Sequence, residues 1–294
     1  MELFIASVKL CIEKCSDDIS FELIPSREYT SPIEGVLVDT TFNCTFKTQK
    51  SFHIPEGYYL VFSGKSTDPV LMAYDWGIYY NSEIYLISIE YFDDSQLKSI
   101  FAFFDLGRKC IDVILIPSVI GGIVIDPLVQ PLGSLLLVYL ANSASAFLIH
   151  ASGVYDDGKG FVFTAVSGTG KSTMAGLWQK KGALVINDDR LWIQMIRGEW
   201  VMFNTPMVWY SQRPAKSLVS SVFLLKQSPI NKVTELKGIN SAMQVMSNCI
   251  QHFHSERMAS KHLELVLDFT SQVSIFECAF KPDTSIVDCI RSII

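Results

Sequence analysis

The stretch Gly160–Asp189, GFVFTAVSGTGKSTMAGLWQKKGALVINDD, joins segments of different pattern. FVFTAV is an apolar run that is typical of a buried strand. The flexible loop SGTG follows it, and the next residues, KSTMAGLWQKK, predict a helix that ends at Gly182. ALVIND then predicts a second strand. This order of strand, loop, helix and strand favours an α/β or mixed α+β fold.

The loop of this stretch ends in Gly-Lys-Ser-Thr, as a phosphate-binding loop (Walker A) does. Such a loop needs backbone N–H groups that converge on the phosphates, a helix that begins there, and a lysine that reaches them. Ala165 stands where the full pattern G-x-x-x-x-G-K-[ST] has glycine, and alanine is tolerated there if its φ is negative. A turn without a ligand is the alternative. The predicted nucleotide-binding residues are Ser167, Gly168, Thr169, Gly170, Lys171, Ser172 and Thr173.

A second Gly-Lys-Ser-Thr occurs much earlier, at Gly64–Thr67. The run that precedes it, Tyr59–Phe62, contains no glycine that would bend the chain around a phosphate. Pro69 and an extended pattern follow it and argue against a helix there. We therefore predict a hairpin turn over Ser63–Thr67 and only one nucleotide site.

Two adjacent carboxylates, Asp188 and Asp189, stand at the end of ALVIND. Phosphate transfer to an alcohol needs groups that hold a metal ion and a group that takes the hydroxyl proton. In a parallel sheet, the strand after the loop's helix would place both carboxylates beside the phosphates. Neighbouring strand residues point to opposite faces, so we expect different roles for the two. A solvated turn is the alternative for this pair, and a core position is the simplest interpretation of His150 taken alone.

Composition narrows the class of protein. The charged fraction, 18%, is below the average of about 25% and indicates a well-buried globular protein. A net charge of −6 without a basic cluster argues against nucleic acid as a partner. The seven cysteines are scattered, with no CxxC pair and no zinc spacing, which favours reduced thiols in a cytoplasm.

Membrane segments are not expected. Glu2 stands where a signal peptide carries positive charge. The apolar stretch 113–131 is interrupted by three prolines and Asp126. The stretch 133–151 is diluted by Asn142, serines and His150, so we predict a buried helix followed by a buried strand instead.

The pattern along the chain predicts two domains, 1–130 and 131–294. The first reads as short strands, which gives a smaller β-rich domain of unknown role. In the second, helices and strands alternate, which favours an α/β domain. The predicted strands of the first part are residues 20–25, 35–39, 44–49, 58–62, 70–74 and 83–92, with a helix at 93–109. The second part has predicted helices at 131–145, within 240–271 and after Pro282, and predicted strands at 147–156, 221–227 and 273–280.

The segments LIHASGVYDDGKGFVFTAVSGTGKST and GALVINDDRLWI, within 148–193, resemble the C-terminal catalytic domain of HPr serine kinase/phosphorylase. They are more similar still to its stand-alone relatives, including those that phosphorylate a serine of lasso peptides, in which an alanine-containing loop is familiar. FNTP at Phe203–Pro206 and VFLLKQSP at Val222–Pro229 match further landmarks. The resemblance runs from Phe147 to the C-terminus and does not include residues 1–130. It implies a P-loop domain of the HPr-kinase/PEP-carboxykinase-like type.

The resemblance also implies roles for matching residues. Lys171 corresponds to the phosphate-loop lysine and Ser172 to the Mg²⁺-binding hydroxyl. Asp189 corresponds to the aspartate that takes the serine proton, and Asp188 to the accompanying acidic residue, which we assign to the metal. His150 corresponds to the active-site histidine and becomes a partner of Asp189.

Two departures from the bacterial HPr kinases limit what the resemblance implies. Those enzymes have a metal-binding glutamate downstream, whereas residues 204–216, NTPMVWYSQRPAK, contain no carboxylate. Their second catalytic arginine has no clear counterpart, although Arg190 and Arg213 are candidates for countering γ-phosphate charge. HPr as substrate and reversal to phosphorylase activity are therefore not carried over.

Together these observations predict a kinase that uses ATP and Mg²⁺ and phosphorylates a serine-type hydroxyl of a protein, a peptide or a small molecule. The alternative is a nucleotide-binding regulatory protein without phosphotransfer. A mechanical ATPase is disfavoured because the sequence has no LSGGQ-like signature. Members of the family often assemble, so a homo-oligomer is a further expectation.

Overall fold

The structure is a computed structural model that describes residues 1–66, 73–92, 96–207 and 212–294. The chain divides into two compact units. The first comprises Met1–Ser143 and Pro206–Arg213, and the second comprises Ala144–Thr205 and Pro214–Ile294. The domain boundary near residue 130 stays a prediction.

The first unit is built on an eight-stranded sheet. The strands of this unit, in chain order, are β1 (Glu2–Ile5), β2 (Val8–Lys14), β3 (Ile19–Phe21), β4 (Thr40–Thr48), β5 (Tyr59–Ser66), β6 (Tyr74–Asn81), β7 (Ile84–Tyr91), β8 (Leu97–Asp105), β9 (Cys110–Pro117) and β10 (Ile123–Ile125). The order in the large sheet is β1-β2-β4-β9-β8-β7-β6-β5, and β3 pairs with β10 in a small parallel sheet. A 3₁₀ turn at Arg27–Tyr29 and the helix α1 (Leu132–Ser143) complete the unit.

The helix predicted at 93–109 is wrong, because residues 97–105 form β8 in the interior of the sheet. Both faces of this strand are covered. Phe104 packs against Tyr139 of α1, and Phe101 packs against Phe52 on the other face. A strand that is buried on both faces carries apolar residues at nearly every position, and such a run also matches helical spacing. Residues 93–95 lie outside the described residues.

The strands predicted at 44–49, 58–62 and 83–92 are confirmed in β4, β5 and β7. The strand predicted at 35–39 is wrong, since those residues have no regular secondary structure. Of the prediction at 70–74, residues 70–72 lie outside the described part of the chain.

The early Gly-Lys-Ser-Thr is part of a strand, and the predicted hairpin turn is wrong for Ser63–Ser66, which end β5. Thr67 lies outside the described residues. Lys65 pairs with Asp75 of β6 at 3.0 Å. A Cβ atom at Gly64 would come within 2.7 Å of the Trp76 ring, so glycine is needed here for close packing across the sheet.

The second unit is a mixed α/β structure around a ten-stranded sheet. Its strands are β11 (Ala146–Asp156), β12 (Lys159–Thr164), β13 (Leu184–Asn187), β14 (Arg190–Ile196), β15 (Glu199–Asn204), β16 (Lys216–Leu218), β17 (Ser221–Gln227), β18 (Lys232–Leu236), β19 (Cys249–Ile250) and β20 (Ser274–Phe280). Its helices are α2 (Lys171–Lys180), α3 (Ile239–Met246), α4 (Glu256–Gln272) and α5 (Ser285–Arg291). The main order is β16-β15-β14-β11-β12-β17-β20-β18, and β13 and β19 also pair with β11.

Helices cover both faces of this sheet. Val162 of β12 belongs to the apolar cluster that contains Phe269 of α4. Its neighbour Phe163 belongs to the opposite cluster, with Trp178 of α2 and Ile286 of α5. Alternate residues of one strand thus serve two cores, as the two-residue period of a strand requires.

The predictions for the second part of the chain are largely confirmed. The helix at 131–145 appears as α1, the strand at 147–156 as β11, and the turn at Asp157–Gly158 joins β11 to β12. The strands at 221–227 and 273–280 and the final helix are also present. The apolar stretch 133–151 is therefore a buried helix followed by a strand. Within the described residues, no helix combines the length and apolarity needed to cross a bilayer.

The carboxyl end of α2 is fixed by the last helix. Arg291 of α5 donates two hydrogen bonds to Asp156, at 2.7 and 2.9 Å. Its guanidinium also lies 5.5 Å from the ring centre of Trp178. The bidentate pair and the cation–π contact connect α5 to α2 and to the end of β11.

His262 of α4 is a buried neutral imidazole. It is 1% exposed and lies between the rings of Phe147 and Phe253, whose centres are 6.1 and 5.3 Å away. Neither ring nitrogen has a hydrogen-bond partner among the described residues. Burial lowers the pKa of His262 from 6.5 to about 4, because no group compensates a charge there.

This histidine predicts a loss of stability in mild acid. Between pH 6.5 and 4 the unfolded chain binds the proton and the folded protein does not, so stability falls as the pH falls. Between about pH 7.5 and about pH 5, the wild-type protein should lose about 2 kcal/mol more than His262→Leu. Urea unfolding at the two pH values measures the difference. His254→Leu, at an exposed position, is the control, and equal losses in wild type and His262→Leu would contradict the assignment.

Candidate functional site

The loop between β12 and α2 depends on two glycines in the left-handed region. Gly168 has φ +78° and Gly170, the residue before α2, has φ +113°. A Cβ atom at Gly170 would also lie 3.0 Å from Cζ of Phe280. Ala165 is buried and is not among the residues with positive φ, so alanine fits at this position without strain.

The first turn of α2 is open to an anion. Ser167, Gly168, Ser172 and Thr173 are exposed, and Thr169 is half-buried. The helix has no side-chain cap at Gly170 and no acidic residue in its first turn. The first N–H groups of a helix have no intrahelical acceptor and carry a partial positive charge. The loop and helix together therefore present donors of the kind that phosphate groups bind.

The ammonium of Lys171 lies beneath this loop. Its Nζ donates to the backbone oxygens of Ala165 at 2.9 Å and Val166 at 3.3 Å, and the residue is 6% exposed. Burial lowers the pKa of Lys171, and the negative charge of Asp189 opposes that shift. Lys171 and Asp189 thus lie close enough for their charges to interact.

The loop and the two aspartates leave the same edge of the sheet. β11 lies between β12 and β13 and runs antiparallel to both, with Ala151 opposite Thr164 and Gly153 opposite Asn187. β12 and β13 are therefore parallel to each other, and their carboxyl ends meet at one edge. The sheet is mixed rather than parallel as predicted, and β11 separates the two strands.

The turn that carries the aspartates is organised by Asn187, a residue that the sequence analysis did not single out. Its buried Oδ1 accepts the backbone N–H of Asp188 at 2.8 Å and that of Asp189 at 3.2 Å. Asparagine commonly bonds to the backbone just after it in this way. The Asn directly before Asp-Asp was the signal that could have identified it.

The carboxylate of Asp189 contacts the side chains of Arg190 and His150. Its Oδ2 accepts from Nε of Arg190 at 3.0 Å, and its Oδ1 lies 3.4 Å from Nδ1 of His150. Burial alone would raise the pKa of Asp189. The hydrogen bond from His150 and the charge of Arg190 outweigh it, and the pKa is lowered. The carboxylate is therefore ionised at neutral pH.

The predicted site residues are divided between the two units. His150, Lys171, Asp188, Asp189 and the loop lie in the second unit, around the edge described above. Arg213 belongs to the first unit, where it lies 3.8 Å from Glu28. The roles assigned to these residues stay predictions.

Magnesium would be held by few protein groups. Within the described residues, no three His, Cys, Asp or Glu side chains form a metal cluster. The predicted ligands are the exposed hydroxyl of Ser172 and the half-buried carboxylate of Asp188, both hard oxygen donors. Mg²⁺ typically takes one or two protein oxygens and completes its shell with phosphates and water, so this donor set fits.

Comparisons with known proteins give little support for any particular function. No family model matches the sequence, and no curated protein matches it. A solved structure of the Hpr(Ser) kinase/phosphatase from Coxiella burnetii aligns with 42% of this chain and 98% of its own, at 11% identity and a TM-score of 0.24. A likeness this weak carries no argument about function, which therefore rests on the site.

Proposed function

We propose that this protein is a kinase that transfers the γ-phosphate of ATP, with Mg²⁺, to a serine-type hydroxyl. The observation that carries the proposal is the meeting of two groups at one sheet edge. One is the glycine loop with the start of α2 and Lys171, and the other is the Asp189–His150 pair. Phosphate transfer to an alcohol requires a phosphate cradle and, next to it, a group that can take the hydroxyl proton.

The loop and Lys171 hold the triphosphate in this proposal. The free N–H groups of the loop and helix bind phosphate oxygens, and Lys171 turns its ammonium from the carbonyls of Ala165 and Val166 toward the phosphates. Ser172 and Asp188 would hold Mg²⁺, which neutralises phosphate charge when bound. Arg190, paired with Asp189, adds a further positive charge at this edge.

The Asp189–His150 pair takes the proton of the acceptor hydroxyl. Its position at the end of β13 and beside the start of the loop supports this role. The acceptor is a serine of a protein, a serine of a peptide, or a small molecule with the same hydroxyl. The resemblance of residues 148–193 to serine kinases supports this class of acceptor.

A regulatory protein that binds the nucleotide without transfer is the second candidate. One observation favours it: residues 204–216 contain no carboxylate that would provide a further metal ligand.

Labelled ATP distinguishes the two candidates. The protein is incubated with [γ-³²P]ATP and Mg²⁺, with L-serine, a peptide ending in serine, or a serine-rich protein as acceptor. A kinase labels at least one acceptor, and excess EDTA abolishes the labelling. Tight ATP binding without transfer to any of the three would favour the regulatory protein.

We also propose a cytoplasmic location and a homo-oligomer. All seven cysteines are free thiols in the structure, which supports a reducing compartment. Size-exclusion chromatography with light scattering tests the oligomer.

Gly170, the residue before α2, has a positive φ that other residues rarely adopt. Its substitution is therefore predicted to weaken nucleotide binding. In Gly170→Ala, alanine would have to adopt φ +113° and place Cβ against Phe280, so the loop must shift. We expect ATP affinity to fall about tenfold, since such strain is worth about 1–3 kcal/mol. Calorimetric titration with Mg·ATP measures it.

Gly176→Ala in the same helix is the matched control. A Cβ atom there meets nothing within 4 Å, and alanine favours a helix by up to about 1 kcal/mol. Gly176→Ala should retain ATP binding and raise the melting temperature. Equal ATP affinity in the two variants would contradict a special role for Gly170.

A further inference from the structure

The hydrogen bonds of His150 define its tautomer. Its Nδ1 lies 3.0 Å from the backbone oxygen of Asp189 and 3.4 Å from Oδ1 of the same residue. A carbonyl oxygen only accepts hydrogen bonds, so Nδ1 carries the hydrogen of this contact. In a neutral imidazole, the other nitrogen then has a free lone pair. The contacts therefore leave Nε2 of His150 as a proton acceptor.

Nε2 is available to another molecule. It forms no hydrogen bond with any of the residues that the structure describes, and it is not a buried atom. The His150 side chain is 36% exposed. A group from another molecule can therefore reach this nitrogen.

The backbone of His150 is held in place. Its N–H donates to the oxygen of Asn248 at 2.9 Å, and its own oxygen accepts from Oγ1 of Thr164 at 2.8 Å. Thr164 is the last residue of β12, so the backbone of His150 lies beside the strand end from which the loop leaves. A proton acceptor that is fixed next to the phosphate cradle needs little reorganisation to act.

Asp189 is poorly suited to take the proton itself. One carboxylate oxygen already accepts from Arg190, and the other faces the Nδ1–H of His150. If the carboxylate took the proton, one of these contacts would have to be given up, whereas no described residue bonds to Nε2 of His150.

We propose that His150, through Nε2, is the general base of the reaction, and that Asp189 orients the imidazole. This inference rests on the proposed kinase function and names the group that takes the proton. The hydroxyl proton moves to Nε2 as the hydroxyl oxygen bonds to the γ-phosphorus. The bond from that phosphorus to the β,γ-bridging oxygen breaks, and its electron pair leaves with ADP.

The charged groups around His150 are consistent with this role. Asp189, in the turn before β14, stabilises the imidazolium that forms, as an acidic partner on Nδ1 does elsewhere. Arg190 of β14 is paired with that carboxylate, and Lys171 of α2 interacts with it as well. On the remaining neighbouring strand, burial raises the pKa of the Cys249 thiol, which stays neutral.

The test compares His150→Asn with His150→Gln. Asparagine keeps a donor amide near the position of Nδ1 and has no atom at Nε2, so it preserves the bond to Asp189 without the base. Transfer from [γ-³²P]ATP to the acceptor labelled by the wild type is measured across the pH range, with Mg·ATP affinity by calorimetry. We expect both variants to bind ATP like wild type and to transfer phosphate about 10²-fold more slowly, without the acidic limb of the wild-type pH profile.

A second readout does not depend on activity. Long-range ¹H–¹⁵N spectra of histidine-labelled wild-type protein report the tautomer, and the assignment of His150 comes from the His150→Gln spectrum. We expect the Nδ1–H form. An Nε2–H form would overturn the proposal.

The kinetic outcomes separate this proposal from the function on which it rests. If wild type transfers phosphate and His150→Asn retains its rate and pH profile, His150 only orients Asp189 and the base assignment is wrong. If wild type transfers phosphate to no acceptor, the proposed function fails and this role fails with it. Recovery of His150→Gly by added imidazoles, increasing with their basicity, would support the proposal.

Discussion

Asp189→Asn is expected to lower the rate of phosphate transfer by about 10³–10⁴-fold, the loss seen when the acidic partner of a catalytic histidine becomes an amide. Asparagine has nearly the same shape but no charge. Its amide nitrogen donates where a carboxylate oxygen accepted, so either the Nδ1–H contact of His150 or the bond from Arg190 is lost, depending on which position the nitrogen takes. Transfer of ³²P under single-turnover conditions measures the loss.

ATP binding should survive this change, because the proposed phosphate contacts come from the loop and Lys171. Mg·ATP affinity from calorimetry is expected within about threefold of wild type, a change of less than about 1 kcal/mol. Asp157→Asn, in the exposed turn between β11 and β12, is the control and should retain full activity. Full activity of Asp189→Asn would show that this carboxylate has no part in the reaction.

Lys171→Met is expected to reduce phosphate transfer by about 10²–10³-fold, the typical loss of one preorganised donor to the transition state. Methionine has a similar length and suits a position that is 6% exposed. Burial lowers the pKa of Lys171, so removing its charge relieves a desolvation cost, and we expect the variant to fold. Calorimetry should also show weaker Mg·ATP binding.

The control for Lys171→Met is Lys180→Met at the exposed carboxyl end of α2. It removes the same charge from the same helix, far from the loop. We expect wild-type ATP binding and transfer in this variant. Equal effects of the two substitutions would mean that the charge of α2 matters in general and that Lys171 holds no phosphate.

Local patterns predicted the part of the fold that surrounds the site. The strand, the glycine-rich turn and the helix of Gly160–Lys180 lie next to one another in the chain, and their geometry depends on neighbouring residues. Gly168 and Gly170 adopt the left-handed conformation that glycine favours, and Ala165 avoids it. The conformation of such a segment is encoded within a few residues.

Predictions that depend on the environment of a segment were less successful. The helix predicted at 93–109 was wrong because a strand covered on both faces has no polar side to show its period. The early Gly-Lys-Ser-Thr was expected in a turn and lies in β5, where Gly64 makes room for Trp76. In both cases the deciding contacts come from other strands.

The loop, the helix behind it and the two aspartates after the next strand follow from the sequence alone, because each is a local pattern. The resemblance pairs His150 with Asp189, 39 residues later, but only the folded chain shows that the contact is made through Nδ1 of the imidazole. The register of β11 against β13 and β14 sets that meeting, and a shift of one residue would turn His150 to the other face. Strand register depends on the packing of the whole sheet, so no short pattern in the chain could have specified it.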